Sequence, residues 1–431
     1  MKKVLIITYY WPPSGGAGVQ RWLKFVKYLR QFQWEPVVFT PSNPETPETD
    51  LTLEKDIPPG IEVVKIPIWE PYSAYKRFIG RGKEEKISSG FLSEKKKPGL
   101  LENVAVWIRG NLFIPDARKF WIQPSINYLI EYLQRHPVDA LITTGPPHSC
   151  HLIGLGLKQK TDIPWVADFR DPWSRIDFYD ELKLSSRADK KHKKLEKMVL
   201  QSADKVIMIS RSQAALFREI LARDYEVITN GYDPEDYTLE KPVVPDLRFS
   251  IAHIGSLVPS RNPVVLWKAL EELCSESADF SDSLEIKLVG KTDYSVIESL
   301  KAHHLLQKLN KIDYLPHKEV VKIQYEARVL LLLINNTPNA GSILTGKFFE
   351  YLAAQRPILC IGPIEGDAAV ILKETKAGCT VGYDDLKEVK SVCWKYYQDF
   401  LNGQLSSKAV AVEQYSRVNL TRCLAGVLDS L

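Results

Sequence analysis

The chain has 431 residues, 45% of them hydrophobic and 26% charged, with a formal net charge of +4. That length accommodates two or three domains with proper cores. The small charge, with no DNA or RNA recognition motif, excludes nucleic-acid partners. The six cysteines (Cys150, Cys274, Cys360, Cys379, Cys393 and Cys423) lack C-x-x-C spacing and read as reduced thiols of a cytosolic protein, not as a zinc site or a disulfide frame. The opening MKKVLIITYYWPP has too short an apolar run for a signal peptide. No apolar run reaches the ~18 residues that a membrane span needs.

Residues 4–8 are aliphatic and β-branched and read as a buried strand. The loop YYWPPSGGAG at 9–18 and a helix at 19–31 follow. Strand, glycine loop and helix open a dinucleotide-type α/β unit. The spacing G-G-x-G is not G-x-G-x-x-G, so the hydride-transfer fingerprint is absent. Gly15 and Gly16 still stand at the carboxyl end of the first strand, where ligands of such sheets bind. A tight turn that needs glycine for backbone reasons is the other reading.

Further strands are expected at 35–40 and 61–66, around a Pro-, Thr- and Glu-rich loop at 41–59. Residues 74–99 are polar, basic and glycine-punctuated; a helix is expected at 116–134 and a strand at 140–144. TTGPPHSCH at 143–151 is a second strand-end loop, in which Pro146 and Pro147 precede a helix starting near His148. His148 and His151 then share one helix face. Repulsion by the helix dipole is expected to keep both neutral, which suits hydrogen bonding or proton handling. Structural histidines are the alternative, and no third ligand is spaced for a metal. A strand at 164–168 ends in ADFRDPWS, which sets Asp168, Arg170 and Asp171 at its terminus as substrate contacts or as a salt-bridged turn. Residues 186–200 form a basic amphipathic helix, 205–209 a strand, Ser210 an N-cap and 226–229 a short strand.

TLEKPVVPDL at 238–247 reads as an interdomain linker. The pattern then restarts with a strand at 249–254 and the loop GSLVPSR, which holds Gly255, Ser256 and Arg261. A helix at 263–273, a strand at 283–289, an extended piece at 311–314, a helix at 319–327 and a central strand at 329–334 follow. After the turn and helix NAGSILTGKFFEYLAAQRP at 339–357 come a strand at 358–361, a helix at 367–375 and a strand at 380–381, and residues 389–431 read as helical throughout. The fold class is therefore α/β, with two Rossmann-like domains facing across a cleft. Their expected bounds are 1–238 and 248–408, with a tail at 409–431 crossing back to the first domain.

The stretch 339–357 has the strongest chemical signal. Gly341, Ser342 and Gly346 are small enough for a ligand to approach the backbone. The first helical turn offers unpaired N–H groups and a partial positive charge, and Lys347 adds a full one. Glu350 shares the Lys347 face, where a carboxylate opposes a phosphate unless it accepts the hydroxyls of a ribose. A cation for phosphates beside an acid for a ribose reads as a nucleoside-diphosphate site; a surface helix with a Lys/Glu pair is the alternative.

On these residues the chain resembles retaining glycosyltransferases of the GT-B fold, in glycosyltransferase family 4. The likeness rests on SGGAG at 14–18, ISRS at 209–212, ITNGYDPEDY at 228–237, HIGSLVPSRNP at 253–263 and GKFFEYLAAQRPIL at 346–359. TTGPPHS and ADFRDPW resemble a subgroup of bacterial surface-polysaccharide enzymes. The resemblance implies that Gly15 and Gly16 approach the donor diphosphate or the acceptor, and that His148 faces the transferred sugar. It implies that Arg261 and Lys347 bind the diphosphate and that Glu350 holds the ribose. His151, Asp168, Arg170, Asp171, Gly255, Ser256, Ser342 and Gly346 are taken as further substrate contacts. Two positions depart from the pattern: Ser342 replaces the first acid of a paired-glutamate motif, and Ser256 replaces an arginine.

The implied reaction, of hexosyltransferase type, moves a sugar from a nucleotide-diphosphate sugar to an acceptor hydroxyl with retention of configuration. Cations and helix N–H groups would stabilise the leaving diphosphate, with no cofactor and no metal. The implied acceptor is a sugar or a lipid-linked or polysaccharide precursor. A nucleotide-sugar epimerase of the same architecture and a non-catalytic sugar-nucleotide-binding subunit remain alternatives. Two basic segments, 77–97 and 187–197, read either as solvated charge or as a reversible contact with an anionic membrane, peripheral on the inner face of the cytoplasmic membrane.

Overall fold

The aliphatic runs of the N-terminal half become strands buried on both faces, seen in a computed structural model that describes residues 1–46, 49–71, 100–176, 179–238, 242–313 and 315–431. By contact the chain divides into two units, Met1–Thr229 with Arg417–Leu431, and Asn230–Ser416. The first unit runs β1 (Lys2–Ile7), α1 (Ala17–Leu29), β2 (Trp34–Pro41), β3 (Glu62–Ile66), α2 (Leu100–Leu112), α3 (Lys119–Arg135) and β4 (Ala140–Gly145). It continues with α4 (Ser149–Lys158), β5 (Trp165–Phe169), α5 (Ser186–Ser202), β6 (Lys205–Met208), α6 (Arg211–Arg218) and β7 (Glu226–Val227). The sheet order is β3-β2-β1-β4-β5-β6-β7, with every pairing parallel.

Alternate residues of these strands enter two separate cores. Leu5 and Ile7 pack on one face of the sheet with Trp121, Ile153 and Phe217. Val4 and Ile6 pack on the other with Trp22, Val26 and, from the C-terminal helix Arg417–Asp429, Leu420, Leu424 and Leu428. Helices on both faces are what make parallel strands read as continuous apolar runs. The C-terminal helix is also pinned by its acid end, where Trp34 Nε1 donates to Asp429 Oδ1 at 3.2 Å.

The second unit runs β8 (Phe249–Ile254), α7 (Val264–Glu276), α8 (Ala278–Ser283), β9 (Leu284–Val289), α9 (Tyr294–Ala302), β10 (Leu309–Ile312) and α10 (His317–Glu326). It closes with β11 (Val329–Leu333), α11 (Gly346–Ala353), β12 (Ile358–Ile361), α12 (Asp367–Thr375), β13 (Gly378–Val381) and α13 (Leu386–Leu401). Its sheet order, β10-β9-β8-β11-β12-β13, is parallel throughout and repeats the order of the first six strands of the first unit. In both sheets the order reverses beside the first strand. The loops that follow β1 and β4, and those that follow β8 and β11, therefore flank a crevice at the carboxyl ends, where ligands bind such sheets.

Several expectations are corrected. Residues 389–431 are not one helical stretch: α13 ends at Leu401, Gly403 turns the chain at φ +66°, and helix resumes at Arg417. The segment 238–247 does not mark the change of unit, which falls between Thr229 and Asn230. Tyr237 and Asp246 are tied into the second unit by bonds to Gln324 (2.8 Å) and Lys287 (2.6 Å). The helices Leu100–Leu112, Ala278–Ser283 and Tyr294–Ala302 had no counterpart in the sequence reading. The six cysteines are free thiols. The basic segment 77–97 lies outside the described residues.

One buried ion pair joins α1 to three strand ends of the first unit. Asp168, at 0% exposure, receives Arg21 Nε and Nη2 at 3.2 and 2.9 Å, Trp22 Nε1 at 2.8 Å and Thr144 Oγ1 at 3.0 Å. Arg21 also donates to the carbonyls of Ile228 and Thr229 at 2.9 and 2.7 Å. Burial pushes the Asp168 carboxyl up; the Arg21 charge and the four hydrogen bonds more than reverse this and leave it below its ordinary value.

Asp168→Ala is expected to cost about 3–5 kcal/mol, since Arg21 would remain as an uncompensated buried charge, and urea denaturation measures it. The stability that this carboxylate confers is present above the unfolded-state pKa of about 3.9 and is lost as pH falls through the folded value. Wild-type protein should therefore lose stability in acid more steeply than Asp168→Asn; equal acid slopes would remove Asp168 as the source.

Candidate functional site

In the first unit the crevice loops are stitched together by Arg170, which follows β5. Its Nη1 donates to Gly18 O at 2.8 Å and its Nη2 to Pro146 O at 3.0 Å. The glycine loop and the PPHS loop are thus held in register by one half-buried guanidinium. Asp171 approaches Arg170 Nε at 3.9 Å. Gly15 is buried. Gly16 is exposed, adopts φ +93° and precedes α1, and a Cβ there would meet nothing within 4 Å. The first turn of α1 has neither an acidic residue nor a side-chain cap, so its N–H groups open onto that space.

His148 stands at the N-cap position of α4 without a side-chain capping bond and is 8% exposed; His151 lies inside that helix. Both rings crowd Gly145, where a Cβ would lie 3.1 Å from His148 Nδ1 and 2.6 Å from His151 Nε2. Neither nitrogen has a hydrogen-bond partner among the described residues. His151 Nδ1 pairs with Thr143 Oγ1 at 2.9 Å. Burial pushes His151 down to about 3. Burial, then His151, His192 and Arg170, holds His148 well below the usual imidazole range. Both rings are neutral, but the cause differs from the expectation. The α4 N-terminus is already occupied by Asp116, which accepts from Ser149 N at 2.9 Å and from Ser149 Oγ at 2.7 Å. Desolvation, not the helix dipole, dominates. Asp168 faces no open space; its oxygens are committed as described above, so the reading of it as a substrate contact gives way to a structural role.

In the second unit Lys347 sits against Gly255, close enough to Arg261 and Glu350 to feel both charges. Gly255 has φ +115°, and a Cβ on it would lie 2.1 Å from Lys347 Nζ. The glycine therefore serves twice, by adopting a left-handed backbone and by leaving a seat for the amine. The same helix is fixed by Tyr351, whose hydroxyl accepts from Ile254 N at 3.0 Å. Arg261 Nε donates to Asn335 Oδ1, so the loops after β8 and β11 are joined across the crevice. Burial, then the Arg261 charge, lowers the Lys347 amine to about 8, against the opposing pull of Glu350. Gln324 Nε2 donates to Glu350 Oε2 at 3.2 Å, and Tyr237 Oη donates to Gln324 Oε1 at 2.8 Å, so the carboxylate is oriented from behind. His253 Nδ1 lies 3.0 Å from Leu331 O, and burial with the nearby Lys347 charge pushes this imidazole down to about 3.

The N-terminus of α11 has no acidic residue in its first turn and no side-chain cap, and a Cβ on Gly346 would meet nothing within 4 Å. Ser342 lies in the preceding turn with its hydroxyl donated to Asn339 O at 2.9 Å, and Ser256 is exposed beside Gly255. Two cations, a helix N-terminus and a held carboxylate are what a phosphate beside a hydroxyl-bearing group requires. Sequence reasoning missed Arg21, Gln324, Tyr237 and Tyr351, because each acts on a residue far away in sequence. Among the described residues no group of His, Cys, Asp and Glu has the geometry of a metal site.

Solved structures share this architecture along nearly the whole chain. Anabaena HepE in complex with UDP-glucose matches with a TM-score of 0.61 at 13% identity, covering 100% of both chains. A mutant of S. aureus TarM, in complex with Fondaparinux, alpha-GlcNAc-glycerol and UDP, matches with a TM-score of 0.59 at 10% identity, also over 100% of both chains. WaaG, a glycosyltransferase involved in lipopolysaccharide biosynthesis, matches at 0.53 and 12% identity over 99% of this chain and 95% of its own. At such identities the likeness establishes the fold: the chain has GT-B architecture, two parallel-sheet Rossmann-like α/β units. More narrowly, residues 90–236 match the family profile described as Glycosyltransferase Family 4. No curated protein sequence matches the chain.

The Lys347 cation sets a pH test. Its charge is present below about 8 and lost above it. Affinity for pyrophosphate, measured by calorimetry as the ratio of wild type to Lys347→Arg so that titration of the probe cancels, should fall as pH rises through that value. A ratio that stays flat from neutral to alkaline pH would show that Lys347 does not meet the anion.

Proposed function

We propose that the protein is a glycosyltransferase that moves a sugar from a nucleotide-diphosphate sugar to an acceptor hydroxyl. The observation that carries this reading is the second-unit cluster, with Lys347 seated over Gly255, Arg261 beside it, and Glu350 oriented by Gln324. In this reading Lys347, Arg261 and the open N-terminus of α11 neutralise the charge that develops on the leaving diphosphate, and Glu350 accepts ribose hydroxyls. His148 contacts the transferred sugar as a neutral hydrogen-bonding ring. UDP-glucose in HepE, UDP in TarM and the family profile over residues 90–236 support a nucleotide-sugar donor.

Transfer with retention, without a metal cofactor, is the finer form of the proposal. The two cations take the role that a divalent ion would otherwise have, and the leaving phosphate accepts the acceptor's proton. A lipid-linked or polysaccharide-precursor acceptor is proposed from the likeness to WaaG and from the basic helix α5. The assay follows release of the nucleoside diphosphate from a panel of sugar nucleotides, with and without lipid extract and with a chelator. Acceptor-dependent release that survives chelation supports the reading. Acceptor-independent appearance of an isomerised sugar would replace it with an epimerase, and binding without turnover would replace it with a silent binder.

Lys347→Ala, Arg261→Ala and Glu350→Ala should each lower turnover efficiency about ten- to a hundredfold, because each removes a charge-assisted contact worth roughly 1.5–3 kcal/mol. His148→Ala should lower kcat while KM for the donor changes little. Unchanged kinetics in Lys347→Ala together with Glu350→Ala would sink the site.

Membrane contact is proposed through the outer face of α5, where Arg187, Lys190, Lys191, Lys193, Lys194 and Lys197 are all exposed. Only Lys193 of these is paired within the helix, with Asp189 at 2.9 Å. Each lysine near an anionic surface adds about 1 kcal/mol at most, so the group suffices for reversible docking. Among the described residues no helix is long and apolar enough to cross a membrane. Flotation should show binding to anionic vesicles that salt releases and none to neutral vesicles; binding indifferent to lipid charge rules the contact out.

A further inference from the structure

The inner face of α5 carries two polar side chains among the apolar Ala188, Val199 and Leu200, where a buried helix face is ordinarily apolar. His192 and Glu196, one turn apart, are buried at 3% and 0% exposure. Both are spent on the loop after β5. Trp173 Nε1 donates to His192 Nδ1 at 3.0 Å. Ser174 N donates to Glu196 Oε1 at 3.2 Å, and Ser174 Oγ donates to the other carboxylate oxygen. The next ring along is His148. It lies parallel to the Trp173 indole, with an interplanar angle of 2° and centroids 4.7 Å apart. Its other ring neighbours, His151 and Phe169, are tilted by 31° and lie farther off, at 5.8 and 6.1 Å. Since His148 Nδ1 has no hydrogen-bond partner among the described residues, the stack on Trp173 is the contact that sets its plane.

We propose that Trp173 and His192 are positioning residues, with His192 tethering the Trp173 indole as the platform that holds the His148 ring toward the transferred sugar. This rests on the reading of His148 as the sugar contact. The tether fixes a tautomer as well as a place. Because Nδ1 of His192 accepts from the indole, its proton sits on Nε2, which lies 3.4 Å from Gly110 O. Burial holds the His192 imidazole below its ordinary value, consistent with an accepting Nδ1. Glu196 acts beside it by gripping Ser174, so two successive loop residues are indexed to one helix. The acceptor also satisfies the buried Trp173 N–H, so positioning is separated from stability by kinetics and by the state of the His148 ring.

The test combines kinetics with a direct view of the ring. His192→Phe keeps ring volume and removes the acceptor, His192→Gln restores an acceptor oxygen, and Trp173→Phe removes the N–H donor while keeping a flat ring. The expectation for His192→Phe and Trp173→Phe is a fall in kcat of about ten- to a hundredfold from misorientation, with donor KM within about twofold. His192→Gln should recover part of the loss. Histidine-selective 15N NMR should show the His148 ring signals shifted or broadened in His192→Phe and restored toward wild type in His192→Gln. If wild-type protein transfers no sugar, the functional reading fails, while the ring signals still decide the tether. His148 signals unchanged in a folded His192→Phe protein, or a kcat that falls only with the folded fraction in all three variants, would overturn the proposal.

Discussion

A single buried ion pair, Arg21 with Asp168, indexes the carboxyl edge of the first sheet. Two charges taken out of water are tolerated only when their mutual attraction is joined by hydrogen bonds that satisfy what remains. Here the carboxylate receives four such bonds, and the guanidinium spends two further donors on the carbonyls of Ile228 and Thr229. Each partner comes from a different part of the chain: α1 behind the glycine loop, the end of β4, the end of β5, and the stretch after β7. The place of the glycine loop relative to the PPHS loop follows from this pair, and Arg170 completes it from the solvent side through Gly18 and Pro146. The same saturation explains why Asp168, a charged group at a strand terminus, is structural and not a ligand contact.

The second unit solves the equivalent problem sterically. Gly255 leaves room for the Lys347 amine, and a Cβ on Gly290 would lie 3.2 Å from the Gly255 backbone, so two glycines allow adjacent strand ends to close up. Tyr351 anchors the helix behind Lys347 to the last residue of β8. A lysine placed this way loses part of its hydration and sits near a second cation, which lowers its affinity for its own proton. An anion arriving in that space would relieve both costs together. Charges assembled by folding in this way would meet such an anion preorganised in the electrostatic sense.

Neutral imidazoles are a further consequence of packing. His148 and His151 in the first unit and His253 in the second are all held below their ordinary values by burial first. The first pair borders Gly145, which leaves room beside His148 Nδ1 and His151 Nε2. A neutral ring can donate from one nitrogen and accept at the other, a property that a charged ring in the same place would lack. His192 on the underside of α5 belongs to the same arrangement, since it accepts from the indole on which His148 stacks.

Much of the architecture was legible in the sequence. Continuous aliphatic runs announced parallel strands buried on both faces, because a period of two is erased when both faces are apolar. The restart of the pattern near residue 249 announced the second sheet. Lys347, Glu350, Arg261 and Gly255 could be singled out because glycines, a helix start and charges lay close together along the chain. What lay out of reach depended on distance in sequence. The partner of Asp168 stands 147 residues away, and Gln324 is 26 residues from the carboxylate it orients. Asp116, 33 residues upstream, accepts from the first turn of α4 and occupies a terminus that the sequence suggested was open. Local composition and periodicity settle which segments are strands, helices and glycine turns, because those preferences act within a few residues. Which charges are spent on the scaffold and which stay open to a ligand is a matter of long-range pairing and burial, and neither exists until the sheets have closed.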